Sequence, residues 1–185
     1  KTRLGQEIGM VRAAELYSKM LDIAVAATRD QGAVLYSACA PLQSLRRYGL
    51  PLELQQGNDL GERMAHALHL ERSRYPGESV VLLGSDLPGI RARHIRHAHL
   101  LLGRADAVIG PARDGGYYLI GLAAHCKTAP AECFRGLAFS HDQVAREAME
   151  RFVSLGLTFA QTALLSDLDQ AEDLHHARTA GEFPD

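Results

Sequence analysis

The 185-residue chain has no excess of charge of either sign, only three cysteines and no long apolar run, and each shortage excludes a class of function. Twenty Lys and Arg stand against 22 Asp and Glu, a net charge of -2. A polyanion binder needs a basic footprint, so nucleic acid is not an expected partner. Apolar stretches such as IAVAA at 23–27 fall far short of the roughly 18 to 20 residues that cross a bilayer. No membrane span is expected. Cys39, Cys126 and Cys133 are odd in number and form no CxxC, and no charged start leads into an apolar run with a small-residue cleavage site. The chain reads as a reduced, cytoplasmic protein.

What is present is a full core. With 46% hydrophobic residues, the length suits one domain over 1–185. The chain opens on KTRL, with Lys1 in place of methionine and no element before it, so an N-terminal segment is expected to be missing. From Gly9 to Thr28, Ala14, Tyr17, Leu21, Ala24 and Val25 recur with a helical period. AVLYSA (33–38) and PLELQQ (51–56) read as short strands, with 41–49 a connection. Asn58 or Asp59 can cap a helix from Leu60 to about Arg74, with Glu62 completing the box and Leu60, Met64, Ala67 and Leu68 stacked along it. SVVLLGSD (79–86) carries four consecutive Val and Leu, which predicts a strand covered on both faces at the sheet centre. A helix follows from Arg91 to Leu102. Strands at 105–112 and 116–123 flank a DGG turn, then a helix at 142–154, extended chain at 156–162 and a last helix at 170–180. Alternating strands and helices predict an α/β three-layer sandwich with a mostly parallel central sheet, its ligand crevice beyond the carboxyl ends of the strands.

Candidate chemistry collects at those ends. Asp86 closes the most hydrophobic strand, where a carboxylate serves either a hard divalent cation such as Mg²⁺ or the cap of the next turn. Asp114, Gly115 and Gly116 precede a strand; paired glycines admit a close ligand or positive φ, and Asp-Gly is equally a hairpin signal. Asp167 and Asp169 share a face if extended and can share a metal, while Asp169 also fits as an N-cap with Glu172. Lys1 and Arg3 offer a point charge and a fork to phosphate oxygens. In QQGNDLGERM (55–64), a strand-end glutamine and Gly57 precede a helix N-terminus that favours anions. The pair His66 and His69 has no third ligand at zinc spacing, and the basic helix at 91–97 reads as a solvated face. Ser85 and Ser140 lack a nucleophile elbow, and nothing marks Cys39 as activated.

Together KTRL, DLGERM, VVLLGSDLPG, VIGPARDGGYYLIGL and LSDLDQAEDL resemble the bacterial radical-SAM/selenodomain-associated glycosyltransferase-like family, of the GT-A-type nucleotide-diphospho-sugar transferase fold. More distantly the chain is similar to the phospholactate and molybdenum-cofactor guanylyltransferases. The resemblance implies that Asp86 is the metal-binding aspartate that holds the nucleotide diphosphate; that Asp167 and Asp169 are a late metal-binding pair for Mg²⁺ or Mn²⁺; and that Lys1 and Arg3 end a phosphate-contacting loop. The catalytic candidates are Asp86 and Asp114, the latter to position donor or acceptor. Gln56, Gly57, Arg63, Gly115 and Gly116 are the remaining candidates for nucleotide or phosphate contact. The chain departs from the family in three places. It lacks the first strand and the loop before KTRL, has Phe139, Ser140 and His141 where Trp, Ser and Thr are expected, and has Gln170 where threonine is common.

The expected function is transfer from a nucleotide or nucleotide-sugar donor to a small-molecule acceptor. The alternatives are a nucleotidyltransferase that releases pyrophosphate and a nucleotide-binding module without turnover.

Overall fold

The computed structural model describes residues 2–40, 42–139, 141–168, 171–179, 181 and 183, apart from the side chains of Thr2, Arg3, Ala171 and His176. The chain opens with two helices, α1 (Thr2–Ile8) and α2 (Met10–Thr28). Gly9, at φ 90°, turns the chain between them, a conformation that costs a side-chain-bearing residue dearly. There follow β1 (Leu35–Ser37), a 3₁₀ turn at Gln43–Tyr48, β2 (Leu52–Leu54), α3 (Leu60–Arg74), β3 (Val80–Leu83), α4 (Ala92–Leu102), β4 (Ala107–Pro111), β5 (Tyr117–Leu122), α5 (Pro130–Phe134), α6 (Val144–Ser154), β6 (Phe159–Gln161) and α7 (Ala171–Thr179).

The strands form two sheets. One is the parallel pair β1–β2; the other has the order β3-β5-β4-β6. The expectation of a mostly parallel sheet is corrected here, because β5 runs antiparallel to both β3 and β4 and only β4–β6 is parallel within the larger sheet. The DGG turn is the reason. It is too short for the crossover that a parallel pair needs, so it folds β5 back on β4.

A second correction concerns β3. It lies at the edge of the larger sheet, with Val80 to Leu83 half-buried, whereas β4 and β5 hold the fully buried Val108, Ile109, Ile120 and Leu122. Continuous apolarity reports cover on two faces, not a neighbour on each edge.

α2 packs on α4, while α3 packs on α5 and α5 on α6, giving two helical layers about the sheet. Burying each large apolar side chain in this core, Phe152 and Leu68 among them, stabilises the fold by roughly 1.5–3 kcal/mol. The buried stripe of α2 is Ala13, Leu16, Met20, Leu21, Ala24 and Ala27; Ala14 and Tyr17, expected inside, are exposed. Leu60 on α3 is likewise exposed, and Ala65 is buried in its place. Asp59 caps α3 by accepting from the Glu62 N–H at 2.8 Å, and the Glu62 carboxylate accepts in return from the Asn58 N–H at 2.8 Å. A smaller core joins α1, α2 and α7 through Leu4, Leu16, Met20, Leu168 and Leu174. The helix α1 lies where the sequence suggested a loop end.

No helix among the described residues is long and apolar enough to cross a membrane.

Candidate functional site

Three chain segments meet at the carboxyl end of the sheet. The first is the exit of β3. The Gly84 N–H still donates to the Tyr118 carbonyl at 2.8 Å, after which Ser85 and Asp86 leave the sheet. Asp86 is half-buried.

The second is the chain after β6, which stays alongside the exit of β4. Ala112 bridges Leu165, the Arg113 N–H donates to the Leu165 carbonyl at 3.0 Å, and two residues past Ser166 the Leu168 N–H reaches the Asp86 carbonyl at 3.2 Å. This last bond seats Asp167 next to the end of β3. Asp169, its expected partner, lies outside the described residues.

The third is the turn at Asp114. Its Oδ1 accepts from the Gly116 N–H at 2.9 Å, and Gly115 takes φ 87°, which is the hairpin reading of this motif. The turn docks on the start of α6, where the Gly115 carbonyl accepts from the Ala145 N–H at 3.0 Å. A Cβ on Gly115 would lie 1.8 Å from the Asp142 carbonyl oxygen. Glycine is required here by close backbone approach as well as by φ.

These segments border a cleft of about 2370 Å³ whose walls include Arg63, Ser85, Arg113, Asp114, Gly116, His141, Asp142, Ser166 and Asp167. Arg63 is oriented by its Nε, which donates to the Gly57 carbonyl at 3.1 Å. Gly57 sits at φ 140°, where a Cβ would come within 2.7 Å of the Arg63 nitrogen, so Gly57 shapes this corner through its backbone. Gln56 is exposed, and it is the preceding Gln55 that lines the cleft. Lys1 and the side chain of Arg3 lie outside the described residues.

Sequence reasoning passed over Arg113, His141 and Asp142. Arg113 is a cation placed on the cleft wall by the turn that holds Asp114. His141 is positioned by accepting from the Gln143 N–H at 3.2 Å through Nδ1, with Nε2 3.5 Å from Glu147. An arginine directly before the DGG motif was the available signal for the first; the other two became visible only when α6 folded against the turn. Above the turn, the Tyr117 hydroxyl meets the Met64 sulfur at 3.7 Å, and burial pushes its ionisation well above the usual phenol range. It is a neutral wall of the site.

Among the described residues no group of three or more His, Cys, Asp or Glu forms a metal cluster. The Leu168–Asp86 bond brings the main chain at Asp86 and Asp167 together, and of the two it is Asp167 that lines the cleft. Mg²⁺ takes one or two carboxylates and fills its remaining positions with water and substrate phosphate. One or two carboxylates are the donor number such an ion takes, and the described residues offer no closed all-protein cage.

A family profile described as "Uncharacterized protein conserved in bacteria (DUF2064)" matches residues 13–141. No curated protein matches the chain significantly. Among solved structures, a "putative nucleotide-diphospho-sugar transferase" from Desulfovibrio desulfuricans G20 is similar, with a TM-score of 0.86 and 32% identity over 96% of this chain and 80% of that one.

Proposed function

This chain belongs to the bacterial DUF2064 family, and from that premise and the site geometry we propose that it is a metal-dependent transferase using a nucleotide-diphospho-sugar donor. The observation that carries the reading is the Leu168–Asp86 backbone bond, which sets the main chain of Asp167 next to Asp86 at the strand ends, while the Arg113 N–H bonds Leu165 two residues earlier in the same stretch. The finer affinity to radical-SAM/selenodomain-associated glycosyltransferase-like proteins rests on the sequence segments named above, the GSDLPG and DGGYYLIGL strings most specifically.

Each residue is given a role that its chemistry allows. Asp86 and Asp167, with Asp169, hold Mg²⁺ or Mn²⁺. Bound there, the ion supplies charge neutralisation for a departing nucleoside diphosphate. Arg113 and Arg63 offer guanidinium forks to phosphate oxygens, a geometry that matches them two bonds at a time. Asp114 orients the donor or the acceptor through the carboxylate capacity that its turn bond leaves over.

The two transferase classes differ in which bond breaks. Glycosyl transfer cleaves between sugar and diphosphate, whereas nucleotidyl transfer cleaves the α,β linkage and asks for strong cationic contacts to a triphosphate tail. The carboxylates available to a diphosphate-bound ion favour the first. Mass spectrometry of reactions with a panel of NDP-sugars and NTPs tests it. We expect slow hydrolysis of one NDP-sugar to nucleoside diphosphate, dependent on Mg²⁺ or Mn²⁺, and no pyrophosphate from any NTP. Pyrophosphate appearing with one NTP and a phosphorylated acceptor would reverse the ranking, and donor binding without any turnover would favour a nucleotide-binding module.

A further inference from the structure

Basic and acidic residues are nearly balanced over the chain, 20 against 22, but they are not evenly mixed. Between Asp86 and Asp106 stand four arginines, three histidines and no acid. Most of that stretch is α4, which packs on α2 and β4 through its buried stripe of Ile95, Ala98 and Leu102. The residues it exposes are Arg93, Arg96, His97 and Leu100, with Arg104 just past its end. They recur at i, i+3, i+4, i+7 and i+11, which is one face of a helix. Gly103 keeps right-handed helical angles, so Arg104 continues the line, and the face runs for about 16 Å.

Local rules are broken on this face with no return inside the chain. A helix N-terminus favours acids, yet the first turn of α4 holds none and carries Arg93. Exposed helix faces ordinarily intersperse charges, so that side chains one turn apart attract. Here Arg93, Arg96 and His97 stand together. Elsewhere Arg47, Arg74, Arg135, Arg146 and Arg151 each sit against a carboxylate; among the described residues Arg93, Arg96 and Arg104 have none. His94 registers the crowding, because burial first and then the charges of Arg93, Arg91 and His97 push its imidazole below the usual value. Local conflict left uncompensated within a fold marks a surface that serves something outside it.

The chemistry of the face selects the partner. None of its five residues lines the ligand cleft, and the outer side of a helix encloses no small anion. The apolar side of α4 is spent on the core, so a bilayer would meet one insertable side chain, Leu100, where a surface-lying helix offers a whole apolar face. The rest of the chain is net acidic, which repels a polyanion longer than the face. Protein carboxylates fit best, since a guanidinium fork takes a carboxylate two bonds at a time. Leu100, 72% exposed in the middle of the line, calls for an apolar cover at the same place.

We propose that the outer face of α4, formed by Arg93, Arg96, His97, Leu100 and Arg104, docks an acidic amphipathic helix of a partner protein, with carboxylates one turn apart on the arginines and an apolar side chain over Leu100. The surface lies outside the cleft and is independent of the transfer reaction proposed above.

Fluorescence anisotropy with two labelled synthetic peptides of one composition, glutamates and a single leucine on an alanine-rich helix, tests this. In one the acids recur a turn apart around the leucine; in the other they are scattered about the helix. The patterned peptide is expected to bind at least about tenfold more tightly than the scattered one. Combining Arg93→Gln, Arg96→Gln and Arg104→Gln is expected to cost at least about tenfold, the combined strength of three exposed ion pairs, while the charge-matched combination of Arg46→Gln, Arg135→Gln and Arg146→Gln keeps full affinity. The α4 variant is also expected to melt no lower than the parent, because it relieves the conflict at the helix N-terminus. A lower melting temperature shows that these arginines serve the fold and overturns the proposal. Equal affinities for the two peptides, no binding of either, or equal binding by the two variants overturns it too. Tighter binding to phosphatidylcholine vesicles containing about one third phosphatidylserine assigns the face to a membrane, and dimers in sedimentation that the α4 variant abolishes assign it to a second copy; either result also overturns the proposal.

Discussion

The backbone N–H of Leu168 donates to the carbonyl of Asp86 across 3.2 Å, joining two segments 82 positions apart. Leu168 is fully buried with Leu4, Leu16 and Met20, so the acidic stretch before it is anchored by packing as well as by this bond. The bond uses the Asp86 main chain, so a substitution of the side chain leaves this joint in place.

Asp86→Asn keeps this joint and is expected to remove most of the Mg²⁺ dependence of nucleoside diphosphate binding. Calorimetric titration with and without EDTA checks it. Equal affinity of the unmodified protein in EDTA would remove the metal from the site, and retained metal dependence in Asp86→Asn would remove Asp86 as a ligand.

Gly115→Ala concerns the turn. The added methyl meets the Asp142 carbonyl at 1.8 Å, and φ is 87°. Positive φ alone costs a non-glycine residue about 1–3 kcal/mol, and the contact requires the turn to lift from the start of α6. A loss of more than about 2 kcal/mol by urea denaturation is expected. Gly77, also at positive φ but with nothing within 4 Å of its Cβ, is the control. A loss no greater than that of Gly77→Ala would show that the docking against Asp142 does not matter to the fold.

Much of this architecture was legible along the chain, and the failures have physical causes. The helix over Leu60–Arg74 was bounded by its own chemistry, with Asp59 accepting from the Glu62 N–H and the Glu62 carboxylate accepting from the Asn58 N–H, so its start could be placed to within a residue. The α2 stripe was misplaced around Ala14 and Tyr17 because an alanine-rich helix offers nearly equivalent faces, and packing of Leu16 and Met20 on α1 and α7 decides between them. The antiparallel β5 was present in the sequence as an Asp-Gly turn. It was outweighed by the alternation of strands and helices elsewhere. Asp86, Asp114 and Asp167 could be named as candidates because each follows a recognisable strand or opens a turn. Arg113 was signalled only by its place directly before the DGG turn, whereas His141 owes its place on the cleft to contacts between distant segments, which no local pattern encodes.

Acid stability should depend on Asp106, just before β4. Its carboxylate accepts from the Thr158 hydroxyl at 2.7 Å and the Thr158 N–H at 2.8 Å, and these bonds hold its pKa below the usual aspartate value. His125 lies 3.4 Å away and adds to the effect when protonated. A carboxyl depressed in the folded state stabilises it fully above the unfolded pKa of about 3.9, and that contribution is lost as pH falls from there through the folded value. Urea midpoints measured from pH 6 down to 2.5 should fall less steeply in Asp106→Asn than in the parent, with the two differing most above pH 4. Parallel pH profiles would show that Asp106 carries no such linkage.

Arg113 offers the most direct test of where phosphate binds. It is exposed on the cleft wall, carried by a backbone that the Leu165 carbonyl and the Asp114 turn hold in place, so its removal should not disturb the fold. A charge-assisted hydrogen bond to an ionised group contributes about 1.5–3 kcal/mol, and about 1.4 kcal/mol is a tenfold change in Kd. Arg113→Ala should then weaken nucleoside diphosphate binding by about 10- to 100-fold. Arg113→Lys should recover only part of it, since lysine keeps the charge and loses the two-pronged geometry. Arg104→Ala, outside the cleft walls, corrects for the change in net charge. Because the contact is exposed, its contribution should shrink as salt rises toward 0.5 M, where the screening length falls to about 4 Å. Fluorescence or calorimetric titration across a salt series checks all three variants, and equal affinities for Arg113→Ala and Arg104→Ala would move the diphosphate away from this wall.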